Sequence, residues 1–319
     1  MLHLVTGGAG FIGSNLVRAL VRQGHQVRVV DDLSTGFWEH LGELRNHPDV
    51  EPLTGDIRDQ SLMARASEGV SVVFHEAALG SVPLSIEDPV RADSVNVHGT
   101  VTVLESARRA GVKRVVFAAS SAAYGDEPTL PKLEHMPTAP LSPYAVSKIA
   151  AEQYLRVFAE LYGIDTVCLR YFNVFGPNQR PDGAYAAAIP KFLWAALHDE
   201  PISIYGDGGA TRDFCFIDNV VQANLAAAQS ERKLAGEIVN VATGQSVTLT
   251  ELVDEIATLL GKRLDVRHDP PRAGDIRHSV ADIGRARELF GYEPTVAWRE
   301  GLRPTADYLR ELSRERGRS

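Results

Sequence analysis

Tyr144 and Lys148 stand four residues apart on a run that opens with Ser142-Pro143. The serine suits a helix cap and the proline the first helical position. A spacing of four then places both side chains on one helical face. A phenol titrates near ~10 and is no base at neutral pH unless a cation lies close. Lys148 supplies such a cation, so the pair could take the proton of an alcohol while a hydride leaves the same carbon. Ser120 and Ser121 close an apolar run that begins at Arg114, and a hydroxyl at that edge could share the proton with Tyr144. In isolation a tyrosine and a lysine one turn apart are commoner as a surface feature, so the rest of the chain decides the reading.

The first residues supply the place for a hydride acceptor. Leu2 to Thr6 reads as a strand and Phe11 to about Gln23 as a helix, with Gly7, Gly8, Gly10 and Gly13 around the turn between them. A chain reversing from strand to helix around a pyrophosphate needs positions without a Cβ. Gly8, Gly10 and Gly13 fit the general dinucleotide fingerprint, and Gly7, Gly10 and Gly13 its wider-spaced relative. The diphosphate is then expected on the free amides that open the helix at Phe11 and Ile12. A second apolar strand, Gln26 to Val30, ends in Asp31-Asp32, about 20 residues past the glycines, where a carboxylate can accept both ribose hydroxyls. It would repel the extra phosphate of NADP, so NAD is the expected cofactor, with Asp31 and Asp32 at its ribose.

Composition narrows the partners. A chain of 319 residues, 44% hydrophobic, can build a full α/β core and a smaller lobe. Its net charge of -8 without a sustained basic run argues against nucleic acid. Cys168 and Cys215 lie in apolar runs without metal or redox spacing, so neither a metal nor a disulfide is expected. The first strand begins at residue 2 and no apolar stretch reaches spanning length, which gives the expectation of a cytoplasmic protein with no membrane partner.

The elements that must position these residues follow in order. Val70 to His75, Arg114 to Ser120 and Asp165 to Tyr171 are short apolar runs without polar alternation, the texture of strands buried on both faces. Ser94 to Ala110 and Tyr144 to Tyr162 show helical spacing and end at Gly111 and Gly163. The expected fold is α/β, a doubly wound parallel (Rossmann) sheet with a smaller, interleaved α/β lobe. The NAD-binding part covers 1–175 with a returning segment near 213–262, and the lobe covers 176–212 and 263–319. Surplus apolar positions on the helices from Ser94 and from Tyr144 suggest a homodimer through a four-helix contact.

Several stretches together resemble the extended short-chain dehydrogenase/reductase family. They are the glycine cradle, Gly55-Asp56-Ile57-Arg58, Asn96-Val97-His98-Gly99-Thr100, the Ser120 to Gly125 stretch, Tyr144 with Lys148, and Gly206-Asp207-Gly208 leading to Arg212-Asp213-Phe214. Within that family the chain looks most like UDP-hexose 4-epimerases, particularly those accepting UDP-N-acetylglucosamine, through Leu141 to Lys148, Arg170 to Gly176 and Gly183 to Ala187. The resemblance implies that Asp56 and Ile57 border the adenine, that Ala77, Ala78 and Asn96 are further cofactor contacts, and that Tyr144 and Lys148 also touch the nicotinamide ribose. It implies a UDP-sugar held by Ser120, Asn173, Ala187, Arg212, Arg272 and Asp275, with Tyr205 packed on the uracil.

Related dehydratases and decarboxylases carry a carboxylate just after the catalytic hydroxyl. Here Ser121 and Ala122 stand there, so a 4-keto intermediate has no prepared route except taking the hydride back. Ser279 matches a position where a bulky tyrosine limits the pocket of relatives confined to the unmodified hexose, and with Gly80 it points to UDP-N-acetylglucosamine, with UDP-glucose as well. The competing readings are a 4-epimerase for UDP-glucuronate or a UDP-pentose, and a dinucleotide-sensing regulator without turnover. Glu76, in His75-Glu76-Ala77-Ala78, is a carboxylate leaving a buried strand beside the cofactor, and the residue pattern gives no account of it.

Overall fold

A computed structural model of the chain describes residues 1–181, 187–270 and 276–316. Its centre is a seven-stranded sheet built from β1 (Leu2–Thr6), β2 (Gln26–Asp31), β3 (Val50–Thr54), β4 (Val72–His75), β5 (Arg114–Ser120), β6 (Asp165–Tyr171) and β7 (Glu237–Val241). The order across it is β7-β6-β5-β4-β1-β2-β3 and every pairing is parallel. Parallel neighbours need a crossover, and crossovers put helices on both faces.

Strand alternation shows this directly. Leu4, Val73, Val115 and Phe117 enter one apolar cluster, while Val5, Phe74, Val116 and Ala118 enter the other. One face is covered by α1 (Phe11–Arg22), against which a later helix packs; the other carries α2 (Gln60–Ser67), α3 (Gly99–Arg109) and α4 (Pro143–Tyr162). Gly111 and Gly163 follow α3 and α4 with φ of 70° and 73°, the left-handed geometry of a helix stop.

The sequence reads one helix from Ser94 to Ala110. The structure instead opens it with a wide π-helical turn, Ser94–His98, before α3 begins. Such a turn re-aims side chains that a regular helix would stack, and here it turns Asn96 inward.

Beyond Phe175 the chain leaves the sheet, forms α5 (Ala188–Leu197), then returns through α6 (Ile217–Gln229), the helix that packs on α1, to β7. The second lobe has its own pairing, Ile202–Tyr205 with Val266–Asp269 in parallel. α7 (Leu249–Leu260), capped by the reciprocal Thr248 and Glu251 bonds, and α8 (Trp298–Arg316) pack with α5. The lobe shares one continuous core with the α1 face of the sheet. No helix among the described residues is long and apolar enough to cross a membrane.

Strand order reverses beside β1, which has β2 on one side and β4 on the other. Open α/β sheets bind ligands in the crevice at that switch, outside the carboxyl ends of the strands. The loops there are the Gly7 to Gly10 turn and Glu76 to Ala78.

Candidate active site

A cavity of about 430 Å³ opens at the switch point. Gly7, Gly10, Phe11, Ile12 and Gly13 line it beside Asp31, Asp32, Asp56 and Ile57, with Ala77, Ala78, Tyr144 and Lys148 completing the wall. The glycine cradle admits no side chain: a Cβ on Gly13 would lie 2.2 Å from the Gly7 carbonyl oxygen, and Gly7, at φ +69°, would press on the Ala77 amide. The Asp31 carboxylate is aimed by two backbone donors, the N–H groups of Ala9 and Leu33, each at 2.9 Å. Burial raises its pKa and those two bonds oppose the rise. A glycine-lined helix start and an oriented carboxylate at the end of β2 are what a dinucleotide requires, so the residues present fit NAD.

Two of the expected cofactor residues have side-chain partners within the protein. Asp56 is held by the Arg58 guanidinium, Nε lying 2.9 Å from Oδ1, and those bonds keep its carboxyl below the ordinary range. Arg58 also lines the cavity; it stands in the motif that carried the resemblance, but its tie to Asp56 depends on the loop's shape. Asn96, expected at the cofactor, does not line the cavity and is 2% exposed. Its Oδ1 accepts from the Leu79 N–H at 2.8 Å, and its Nδ2 donates to the Ser147 hydroxyl at 2.9 Å. The π-helical turn thus makes Asn96 a brace between the loop after β4 and the helix of Tyr144.

At the other end of the cavity α4 delivers Tyr144 and Lys148 as the spacing requires. Ser142 caps the helix by accepting from the Ala145 N–H at 3.2 Å. The Lys148 ammonium donates to the Ala118 carbonyl at 2.7 Å and lies 4.7 Å from the centre of the Phe117 ring and 6.0 Å from that of Tyr144. Burial lowers its pKa to about 8, against the attraction of Glu76 and Glu152. The expected acidification of the phenol draws on Lys148 together with the nicotinamide charge, and in the protein alone the balance runs the other way. Burial raises the Tyr144 pKa, and the opposing influence is a hydrogen bond with Ser120. Removing a phenolate from water costs more than an ammonium at that range returns. Ser120 ends β5, its Oγ accepting from the Ala122 N–H at 3.2 Å, and Ser121 starts the short turn that follows.

A second cavity of about 240 Å³ lies between sheet and lobe. Asn173, Ala187, Tyr205 and Arg212 line it as the resemblance implies. Asn173 has φ of 33° and donates from Nδ2 to the Asp213 carbonyl at 3.2 Å. Arg212 donates to the carbonyls of Thr211 and Arg277. Lys191, with its ammonium 5.9 Å from the centre of the Tyr205 ring, and Ser203 also line this space. The residue pattern gave no sign of either, because each reaches the cavity through the packing of the lobe. Ser279 is half-buried and donates its N–H to the Thr211 carbonyl at 3.2 Å, placing it beside the strand of Arg212, although it lines neither cavity. Arg272 and Asp275 lie outside the described residues.

Comparison with known proteins agrees with this geometry. Residues 3–242 match the model of the NAD dependent epimerase/dehydratase family. A UDP-glucose 4-epimerase of Mycolicibacterium smegmatis is 42% identical over 315 residues, covering 98% of this chain and 100% of that one. Among solved structures, a UDP-N-acetylglucosamine 4-epimerase of Methanobrevibacter ruminantium superposes with a TM-score of 0.93 at 38% identity, covering 97% of this chain and 98% of that one. A UDP-glucose 4-epimerase of Thermus thermophilus, solved in complex with NAD, gives 0.87 at 38% identity, over 97% and 99%. The cradle, the aimed carboxylate, the Tyr144 and Lys148 pair and these relatives along nearly the whole chain lead to one conclusion: the protein belongs to the NAD-dependent epimerase/dehydratase family.

Proposed function

We propose that the protein interconverts UDP-hexoses that differ in configuration at carbon 4, through a transient 4-keto sugar. UDP-N-acetylglucosamine is the lead substrate and UDP-glucose the second. One observation carries the reading: Tyr144 and Lys148 line the same cavity as the glycine cradle and Asp31, and the turn after Ser120 brings no carboxylate that could eliminate water or direct a second reaction.

The cradle glycines, Asp31 and the Lys148 side are the groups that hold NAD, which when bound takes up and returns the hydride of carbon 4. Tyr144 accepts the proton of the 4-hydroxyl, with Ser120 sharing it, and returns it once the keto sugar presents its opposite face. Lys148 keeps positive charge beside the oxygen where negative charge develops. Asn173, Arg212 and Lys191 offer donors to the nucleotide diphosphate, since guanidinium and ammonium groups suit its oxygens. They anchor one end of the substrate while the sugar turns.

The test is nuclear magnetic resonance of the purified protein with UDP-N-acetylglucosamine, UDP-glucose and UDP-glucuronate, run without added NAD. The expected products are the axial and equatorial partners of the first two; a deoxy-keto sugar in their place overturns the reading. Ser279→Tyr is expected to lower turnover of the acetylated sugar by about 10- to 100-fold relative to UDP-glucose, the range over which a pocket discriminates one small group. Equal loss on both sugars refutes the gate.

The same reading includes a homodimer. α4 presents Val146, Tyr154, Val157, Leu161 and Tyr162 outward, and the segment before Ser94 adds Leu84, Ile86 and Val90. The surplus therefore lies on α4 and that segment, whereas the outer surface of α3 carries Arg108 and Arg109 tied to Glu105. Exposed apolar side chains gathered on neighbouring elements in this way support the dimer, since burying them removes apolar area from water. Light scattering after size exclusion is expected to give twice the chain mass at micromolar concentration, a monomer mass being the adverse result.

A further inference from the structure

Glu76 has no part in the mechanism above, yet it stands at the reacting end of the cofactor cavity with Ala118, Tyr144, Lys148 and Tyr171. Its neighbour His75 points into the opposite layer, with ring nitrogens 2.7 Å from the Thr6 hydroxyl and 2.9 Å from that of Thr100. Strand alternation sends Glu76 the other way, where the Tyr171 hydroxyl donates to Oε1 at 2.9 Å and itself accepts from Asn224 Nδ2 at 2.8 Å. Oε2 is shut off from water and has no hydrogen-bond partner among the described residues.

A carboxyl built in with one hydrogen bond is costly to ionise unless a positive charge complements it. Lys148 attracts it electrostatically but spends a donor on Ala118 and makes no ion pair with it. A second charge belongs at this end of the cavity. A nicotinamide ring is cationic when oxidised and neutral when reduced, and one bound to exchange a hydride with the sugar would be held on the Tyr144 and Lys148 side of the cavity.

We propose that Glu76, clamped by the Asn224 and Tyr171 chain, tunes the bound cofactor, its carboxylate favouring the oxidised state and so returning the enzyme to NAD after each cycle. When the hydride and its two electrons leave the sugar, the ring's charge disappears and the alcohol proton passes to Tyr144. Return of the hydride restores the charge, and Glu76 biases that balance toward return.

The protein alone already places this group near its switching range. Burial raises the Glu76 pKa to about 7, against the Tyr171 hydrogen bond and the Lys148 charge. The titratable groups facing it are Lys148 from α4 and Tyr171 from β6, with Tyr144 sharing the cavity end and Cys215 behind Tyr171; α6 contributes the neutral Asn224. This inference rests on the NAD cofactor and not on which sugar is turned over.

The experiment equilibrates NAD-loaded enzyme with a redox couple of known potential and reads the reduced fraction from the absorbance of the dihydronicotinamide, with no sugar present. In Glu76→Gln, which keeps the shape and the Tyr171 bond, the ratio of reduced to oxidised cofactor is expected to rise roughly tenfold, equivalent to about 30 mV for a two-electron couple. The component of the wild-type pH dependence that Glu76 contributes around pH 7 should vanish. An unchanged ratio and an unchanged profile overturn the proposal. Glu76→Asp, which retains the charge, should stay near wild type; an equal rise in Glu76→Asp shows a packing effect and also overturns it. If the glutamine variant does not fold, a tenfold rise in a folded Glu76→Ala protein, absent from the aspartate variant, is the supporting result. Failure of this test leaves the substrate reading intact, because no sugar enters the measurement.

Discussion

Tyr144→Phe lowers kcat by about 10²- to 10⁴-fold, the range for loss of a positioned general acid or base, and leaves affinity for UDP unchanged. The substitution removes one oxygen and keeps the ring, which helps line the cofactor cavity. Burial raises the Tyr144 pKa, and within the protein Ser120 opposes it. The hydroxyl therefore waits as a phenol and becomes a base only when further positive charge stands beside it, which makes its effect specific to the loaded site. Lys148, whose pKa burial lowers to about 8, is the protein's own source of that charge. Turnover should therefore decline as pH rises through about 8 and the ammonium is lost. Rapid-quench measurement of one turnover, with bound NAD quantified after denaturation, separates chemistry from cofactor loss. Wild-type turnover in the phenylalanine protein eliminates Tyr144 as the base.

The second large effect concerns the frame beneath that site. Glu152→Ala should destabilise the protein by about 3–5 kcal/mol in urea unfolding, the cost of breaking a buried ion pair from one side. Arg170 reaches Glu152 with two bonds of 2.9 and 2.8 Å, and the two side chains are 2% and 0% exposed. The guanidinium also lies 4.7 Å from the centre of the Tyr124 ring. Removing Glu152 leaves that cation buried without its counter-charge, whereas replacing both, as Glu152→Leu with Arg170→Met, should recover most of the loss. The pair joins α4, one turn after Lys148, to β6, one residue before Tyr171. Activity in the single variant should fall with stability, and the double variant shows whether the charges or merely the filled volume set the geometry. A Glu152→Ala protein that unfolds at the wild-type urea concentration contradicts the assignment.

How far residues alone lead depends on the range of the force involved. The strands at Leu2, Gln26, Arg114 and Asp165 were readable because both faces of a parallel sheet are buried, which leaves unbroken apolar runs. The cradle was readable because its glycines serve a turn within thirteen residues, and Tyr144 and Lys148 because helical spacing is local. Asn96 shows the complementary case. Its side-chain partners Leu79 and Ser147 lie 17 and 51 residues away, and the π-helical turn that brings them together is not announced by its position along the chain. Lys191 and Ser203 escaped notice because nothing near them in the chain distinguishes a cavity lining from a surface.

Residue order by itself determined the doubly wound architecture, the dinucleotide cradle with its acidic ribose partner, and the tyrosine and lysine on one helical face, since each follows from periodicity or from the conformational freedom of glycine. Only the tertiary structure decided the protonation tendencies of Tyr144, Lys148 and Glu76 and the partners of Asn96 and Arg170. Those properties arise from desolvation and from charges contributed by distant strands and helices, and such energies exist only after the chain has brought them together.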